Sequence, residues 1–240
     1  MWGTWTVRAV ASSARNYSLK PWRAVEAQHR VATMPLVDSL EEQLVLERLL
    51  EESKPPLPKE AEGLHWLLFT PFRYPPPPGG SRFRGEHDPG VLYAADSLET
   101  ACAELGYWRW RHLRESPAMD HIPTRAQTVF QVAVRAKGID LRTEPFVRSR
   151  AKWASPDDYT ATQKLGRDAR KAGLGLIRYE SVRDLAHRGC VAVMSPTAFA
   201  RKEPIATQNW HLSVFRERVV WRRDDPLDSL SLEFHATSWT

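Results

Sequence analysis

Between Pro71 and Glu104 the chain reads PFRYPPPPGGSRFRGEHDPGVLYAADSLETACAE. Arg73, Arg82 and Arg84 flank a proline/glycine loop, Tyr93 follows on a short apolar run, and Glu104 closes the stretch. Guanidinium groups bind phosphate and carboxylate in a two-pronged way. A carboxylate among them can stabilise positive charge that develops on a substrate. A later stretch, Leu176-Ile-Arg-Tyr-Glu-Ser-Val-Arg183, presents Ser181 in a polar turn, where a hydroxyl ordinarily caps its own backbone. Leu98, Ala101, Leu105, Trp108 and His112 share one helical face, with Glu104 at its edge. A carboxylate there needs a partner, and Arg109 or Arg111 could supply one without any catalysis. The eight histidines have no metal-binding spacing, and no metal site is expected.

These residues must be positioned by a folded domain. The chain has 240 residues, of which 42% are hydrophobic, enough for a core. Lys and Arg number 34 against 29 acids, a net charge of +5 that suits a small anionic ligand better than a nucleic acid. Cys102 and Cys190 stand in no CxxC pair and read as buried thiols. No apolar run is long enough to span a bilayer and no signal-peptide pattern opens the chain, so a cytoplasmic protein that does not enter membranes is expected.

Residues 1–35 show little periodicity and read as irregular, wrapped on the surface. From there to about 53 an amphipathic helix is expected, begun by a capping box from Asp38 to Glu41 and stopped by the prolines after Lys54. It either closes the core, the commoner use of such a helix, or contacts a partner. Strands are expected at Leu64 to Phe69, Val91 to Ala95, Gln127 to Val134, Leu174 to Tyr179 and Cys190 to Met194, with one or two more over Leu212 to Arg222. Helices are expected over 98–113, capped by Ser97, and from Ser155-Pro156 to Gly173. No dinucleotide-binding GxGxxG, P-loop or GxSxG motif occurs. The mixture is α+β, with a mixed or antiparallel central sheet flanked by helices. It divides into an N-terminal extension, 1–60, and a domain at 61–240.

Taken in order, these stretches resemble the RES domain. Arg73-Tyr74 matches an Arg-Tyr pair of that family, and Gly80-Ser81-Arg82-Phe83 matches its Gly/Ser-Arg-aromatic turn. Gly90 leads to Tyr93, Glu104 stands eleven residues further on, and Ser181 matches the final serine. The family often has Trp-Asn after the turn arginine, where this chain has Phe83-Arg84. The resemblance covers about 64–215. It implies a fold similar to ADP-ribosyltransferases and cleavage of NAD, as substrate rather than prosthetic group, at the nicotinamide–ribose bond with water or phosphate as acceptor. It assigns Glu104 to the developing ribose cation, Arg73 and Arg82 to the pyrophosphate, Tyr74 and Tyr93 to packing against nicotinamide or ribose, and Ser181 to a hydrogen bond with them. It also implies a toxin held by a helical Xre-type antitoxin; a homo-oligomer is compatible with it. Two other readings compete: an ADP-ribosyltransferase acting on a protein, and a non-catalytic module that binds nucleic acid or protein. A buried Glu104 among arginines favours the enzyme, since a nucleic-acid surface has no use for it.

Overall fold

The computed structural model describes residues 5–27 and 36–239. Its helices are α1 (Val7–Ser12), α2 (Leu40–Glu52), α3 (Trp66–Arg73), α4 (Leu98–Arg114), α5 (Arg150–Trp153) and α6 (Thr160–Lys171). Its strands are β1 (Arg15–Leu19), β2 (Trp22–Glu26), β3 (Leu92–Ala95), β4 (His121–Gln131), β5 (Val134–Asp140), β6 (Leu176–Glu180), β7 (Gly189–Val193), β8 (Ala206–Phe215), β9 (Arg218–Arg223) and β10 (Ser231–His235). They form one mixed sheet in the order β1-β5-β6-β7-β3-β2-β4-β8-β9-β10, as expected of an α+β chain. The β5–β6 pair is parallel and the other pairs are antiparallel.

The sheet has two halves, and each builds its own core. β7 is buried along its whole length because its side chains serve both faces: Cys190 and Ala192 pack toward α6, while Val191 and Val193 pack toward α3. Burial on both sides explains its unbroken apolar run. Trp210 and Trp221, both fully buried, fill the other half beneath α4.

Residues 5–27 are not irregular. They form α1, β1 and β2, and β2 lies inside the sheet between β3 and β4. Two five-residue strands carry too little alternation to be read alone; their ladders with β5 and β4 supply the stability. Residues 1–4 and 28–35, covered by the same expectation, lie outside the described residues.

The strand expected at Leu64 to Phe69 is instead the start of α3, where Leu67, Leu68 and Phe72 are buried at helical spacing and the His65 side chain accepts from the Leu67 amide at 3.2 Å. Short apolar runs fit a buried strand and a buried helix equally well. α2 begins one residue later than the expected capping box. Ser39 accepts from the Glu42 amide at 3.2 Å, and the Glu42 carboxylate reaches back to the Asp38 amide at 2.9 Å. This helix does not close the core: Leu40, Leu44 and Leu49 are exposed. α6 starts at Thr160 rather than at Pro156, because Ser155 and Asp158 each accept a local amide in the turn before it. Gly173 ends it with φ +70, as expected. The single strand expected over Gln127 to Val134 is the end of β4 and the start of β5.

Candidate active site

β2 and β3 touch at one register pair, Trp22 with Ala95. Beyond it β2 follows β4 and β3 follows β7, so the two halves of the sheet part. A cavity of about 350 Å³ opens between them, within the range of small-molecule sites. Its walls come from β2, β3, α4, the Gly80–Arg82 turn and the loop carrying Tyr159.

Glu104 enters from α4, which is held at its start by the Ser97 hydroxyl accepting from the Thr100 amide at 3.1 Å. The face that α4 buries differs from the expected one. It is made by Ala103, Gly106, Tyr107, Trp110 and Leu113; of the expected face Ala101 is buried, while Trp108 is left exposed at the cavity wall. Neither arginine offered by the non-catalytic reading takes Glu104. Arg109 pairs with Glu26, and Arg111 with Glu115 and Asp157. Glu104 Oε1 instead accepts from Ser181 Oγ at 2.5 Å and from the Cys190 thiol at 3.8 Å. Burial pushes the Glu104 carboxyl above its usual range; the Ser181 bond and the nearby charges of Arg82 and Arg183 pull the other way.

Ser181 is fully buried just beyond β6. Its oxygen accepts from the amides of Arg183 at 3.1 Å and Asp184 at 3.0 Å, and its one proton goes to Glu104. Asp184 in turn accepts from Thr100 Oγ1 at 2.8 Å, tying this turn to the first turn of the helix that carries Glu104. Ser181 has no surface and no spare proton for a ligand. In this geometry Ser181 holds Glu104 and does not itself line the cavity.

The tight turn before β3 presents Arg82. Gly80 has φ +78, and a side-chain carbon there would fall 2.2 Å from the Arg84 carbonyl oxygen, so glycine is required. The Tyr93 hydroxyl binds Ser81 Oγ at 2.8 Å and accepts from the Phe83 amide at 2.9 Å, bracketing Arg82 from both sides. Arg82 donates to the carbonyls of Trp153 and Ser155 and lies 4.8 Å from the Tyr159 ring centre. Arg183 stacks 3.6 Å from the centre of Tyr107 and donates to the Pro156 carbonyl at 2.6 Å. On the opposite wall, Arg23 of β2 donates to the Tyr93 carbonyl at 2.6 Å. The cavity thus gathers three guanidinium groups around one carboxyl.

Of the residues singled out in sequence, Arg82, Tyr93 and Glu104 line the cavity, with Ser181 directly behind Glu104. Arg73 and Tyr74 do not line it. The Arg73 guanidinium is engaged by Glu51 and by the Pro55 carbonyl, each at 2.6 Å, and Tyr74 is exposed. Arg23, Arg183, Trp108 and Tyr159 also line the cavity and were not anticipated. Arg183 lay within the quoted Ser181 stretch, but nothing local to β2 marks Arg23 as a site residue. Among the described residues no group of three His, Cys, Asp or Glu side chains could hold a metal, and no helix is long and apolar enough to cross a membrane.

Fold and site define an α+β domain with a cationic cleft, one carboxyl within it, where a split sheet opens. The RES-domain family model matches residues 57–214, and the chain belongs to that family. In structure the chain is similar to a protein of the M. tuberculosis MbcT–MbcA toxin–antitoxin complex, with a TM-score of 0.51, 14% sequence identity, and coverage of 84% of this chain and 89% of the other. No curated protein matches the chain in sequence.

Proposed function

We propose that this chain consumes NAD by breaking its nicotinamide–ribose bond and acts as the toxin of a toxin–antitoxin pair. The observation that carries the reading is Glu104: a half-buried carboxyl in a cleft of guanidiniums, with one oxygen fixed by a serine that has no other use for its proton. The cleft lining holds three arginines and one carboxyl, a positive excess that suits the anionic pyrophosphate of a dinucleotide.

When the bond to nicotinamide breaks, the electron pair leaves with the neutral base and C1 of the ribose becomes positive. Glu104, held by Ser181, sets its charge against that cation, the electrostatic logic of glycoside cleavage. Arg82 and Arg183 hold the pyrophosphate, and Trp108 and Tyr159 give flat faces to the rings. Water or phosphate then bonds to C1; the water route releases a proton to solvent. Membership of the RES family and the likeness to a chain from a toxin–antitoxin complex support a protein partner that restrains this chain, of the helical Xre type by the family resemblance.

The test is chromatography of every product after purified protein is incubated with NAD, with and without phosphate. Free nicotinamide with ADP-ribose identifies hydrolysis, and ADP-ribose 1-phosphate identifies phosphorolysis. Nicotinamide release that requires an added protein, with ADP-ribose recovered on it, would replace this reading with the transferase one. Intact NAD under all conditions would refute both.

A further inference from the structure

We propose that Arg23, on the strand that precedes the RES-matched region, is a phosphate-binding residue of the cleft. The proposal rests on the NAD reading only for which molecule carries the phosphate.

β2 forms the cavity wall facing β3, and Arg23 projects from it where the two strands have parted. One of its nitrogens donates to the Tyr93 carbonyl, a group that would otherwise lose its sheet partner at the split. That uses one of five donors. Nε is buried with no acceptor. Among the described residues the side chain forms no ion pair with a carboxylate, and no carboxylate acts on its charge. Burial pulls its pKa down to about 10, so it stays cationic at neutral pH. A cavity-lining cation with spare donors and no counter-ion is half of a charge pair, and a ligand must bring the other half. A guanidinium favours an anion that can take two parallel hydrogen bonds, and phosphate does. A purely structural arginine, present to satisfy the Tyr93 carbonyl, would need neither its charge nor its fork. Two phosphates could fill the role: the pyrophosphate of the dinucleotide, or inorganic phosphate acting as the acceptor.

The experiment uses the full chain as wild type, Arg23→Lys and Arg23→Gln; both replacements keep a donor for the Tyr93 carbonyl. Calorimetry measures binding of ADP-ribose, of nicotinamide riboside, which has no phosphate, and of inorganic phosphate. NAD turnover by the wild type is followed in parallel. If Arg23 binds the pyrophosphate, both variants lose ADP-ribose affinity by roughly tenfold or more while nicotinamide riboside binds as before. If Arg23 binds the acceptor, affinity for inorganic phosphate falls and nicotinamide riboside again binds as before. Equal losses for all three ligands, or no loss for either phosphate ligand, would overturn the proposal. Should the variants fail to fold, the wild-type crystal structure with ADP-ribose decides: a phosphate oxygen within about 3.2 Å of the Arg23 guanidinium supports it, and a guanidinium turned from every phosphate overturns it. Wild type that binds ADP-ribose but leaves NAD intact overturns the enzyme reading alone.

Discussion

Replacing Ser181 with alanine separates positioning from ligand contact. The hydroxyl makes three hydrogen bonds: it donates to Glu104 and accepts from the amides of Arg183 and Asp184. A hydrogen bond to an ionised group contributes about 1.5–3 kcal/mol. If that bond fixes the carboxylate where charge develops, its loss lowers kcat by roughly ten- to a hundredfold, at 1.36 kcal/mol per decade. The alanine also leaves two amides without an acceptor in a fully buried turn, which costs about 1–3 kcal/mol of stability for each. Rates must therefore be compared below the variant's melting transition. The pH profile gives an independent readout. The Ser181 bond lowers the Glu104 pKa, so its removal raises that pKa further and moves the acid limb of kcat/KM to higher pH. The assay is NAD loss across pH for wild type and Ser181→Ala, with thermal melts in the same buffers. A variant with raised KM, unchanged kcat and an unmoved acid limb would refute the reasoning, because that pattern belongs to a group that binds substrate and transition state alike.

Other predictions use the same geometry. Burial holds the Glu104 pKa above its unfolded value, so its protonated form stabilises the fold at low pH and that contribution is lost as pH rises through the folded pKa. Glu104→Gln should therefore melt at or above the wild-type temperature at neutral pH, and calorimetry at two pH values checks the sign. Arg82→Ala should lower kcat/KM for NAD by roughly tenfold or more, and by more than Arg73→Ala, since Arg82 lines the cleft while Arg73 is engaged by Glu51 and Pro55. The reverse ranking would show that Arg73 leaves those partners when substrate binds. Deleting residues 1–27 removes β2 from the interior of the sheet and should abolish cooperative folding, seen as loss of a melting transition by circular dichroism. Tyr93→Phe should leave the Phe83 amide without its acceptor, loosen the Arg82 turn and raise KM for NAD several-fold, measured by initial rates.

How much of this was legible in the sequence depended on whether the signal was local. α4 and its Ser97 cap, the glycine ending α6 and the buried runs of β6 and β7 carry their own periodicity or punctuation, and they stand within a residue or two of expectation. Glu104, Arg82 and Tyr93 were legible because one strand, one turn and one helix that follow each other in sequence place them together. Ser181 was found by resemblance, but its partners were not, because two amides and a carboxylate are brought to it only by the tertiary fold. Arg23 was out of reach for the same reason: its strand takes its meaning from pairing with β4, more than a hundred residues away. Arg73 shows the converse: a motif position does not fix where a long side chain points, and its guanidinium here lies on Glu51 and the Pro55 carbonyl, outside the cavity lining.

The most direct test of the central claim compares nicotinamide release from NAD by wild type and Glu104→Gln, both shown to be folded. The geometry predicts release by wild type and a loss of roughly two or more orders of magnitude in the variant, because the glutamine keeps the shape but cannot balance the ribose cation. Equal release by the two proteins would contradict the account.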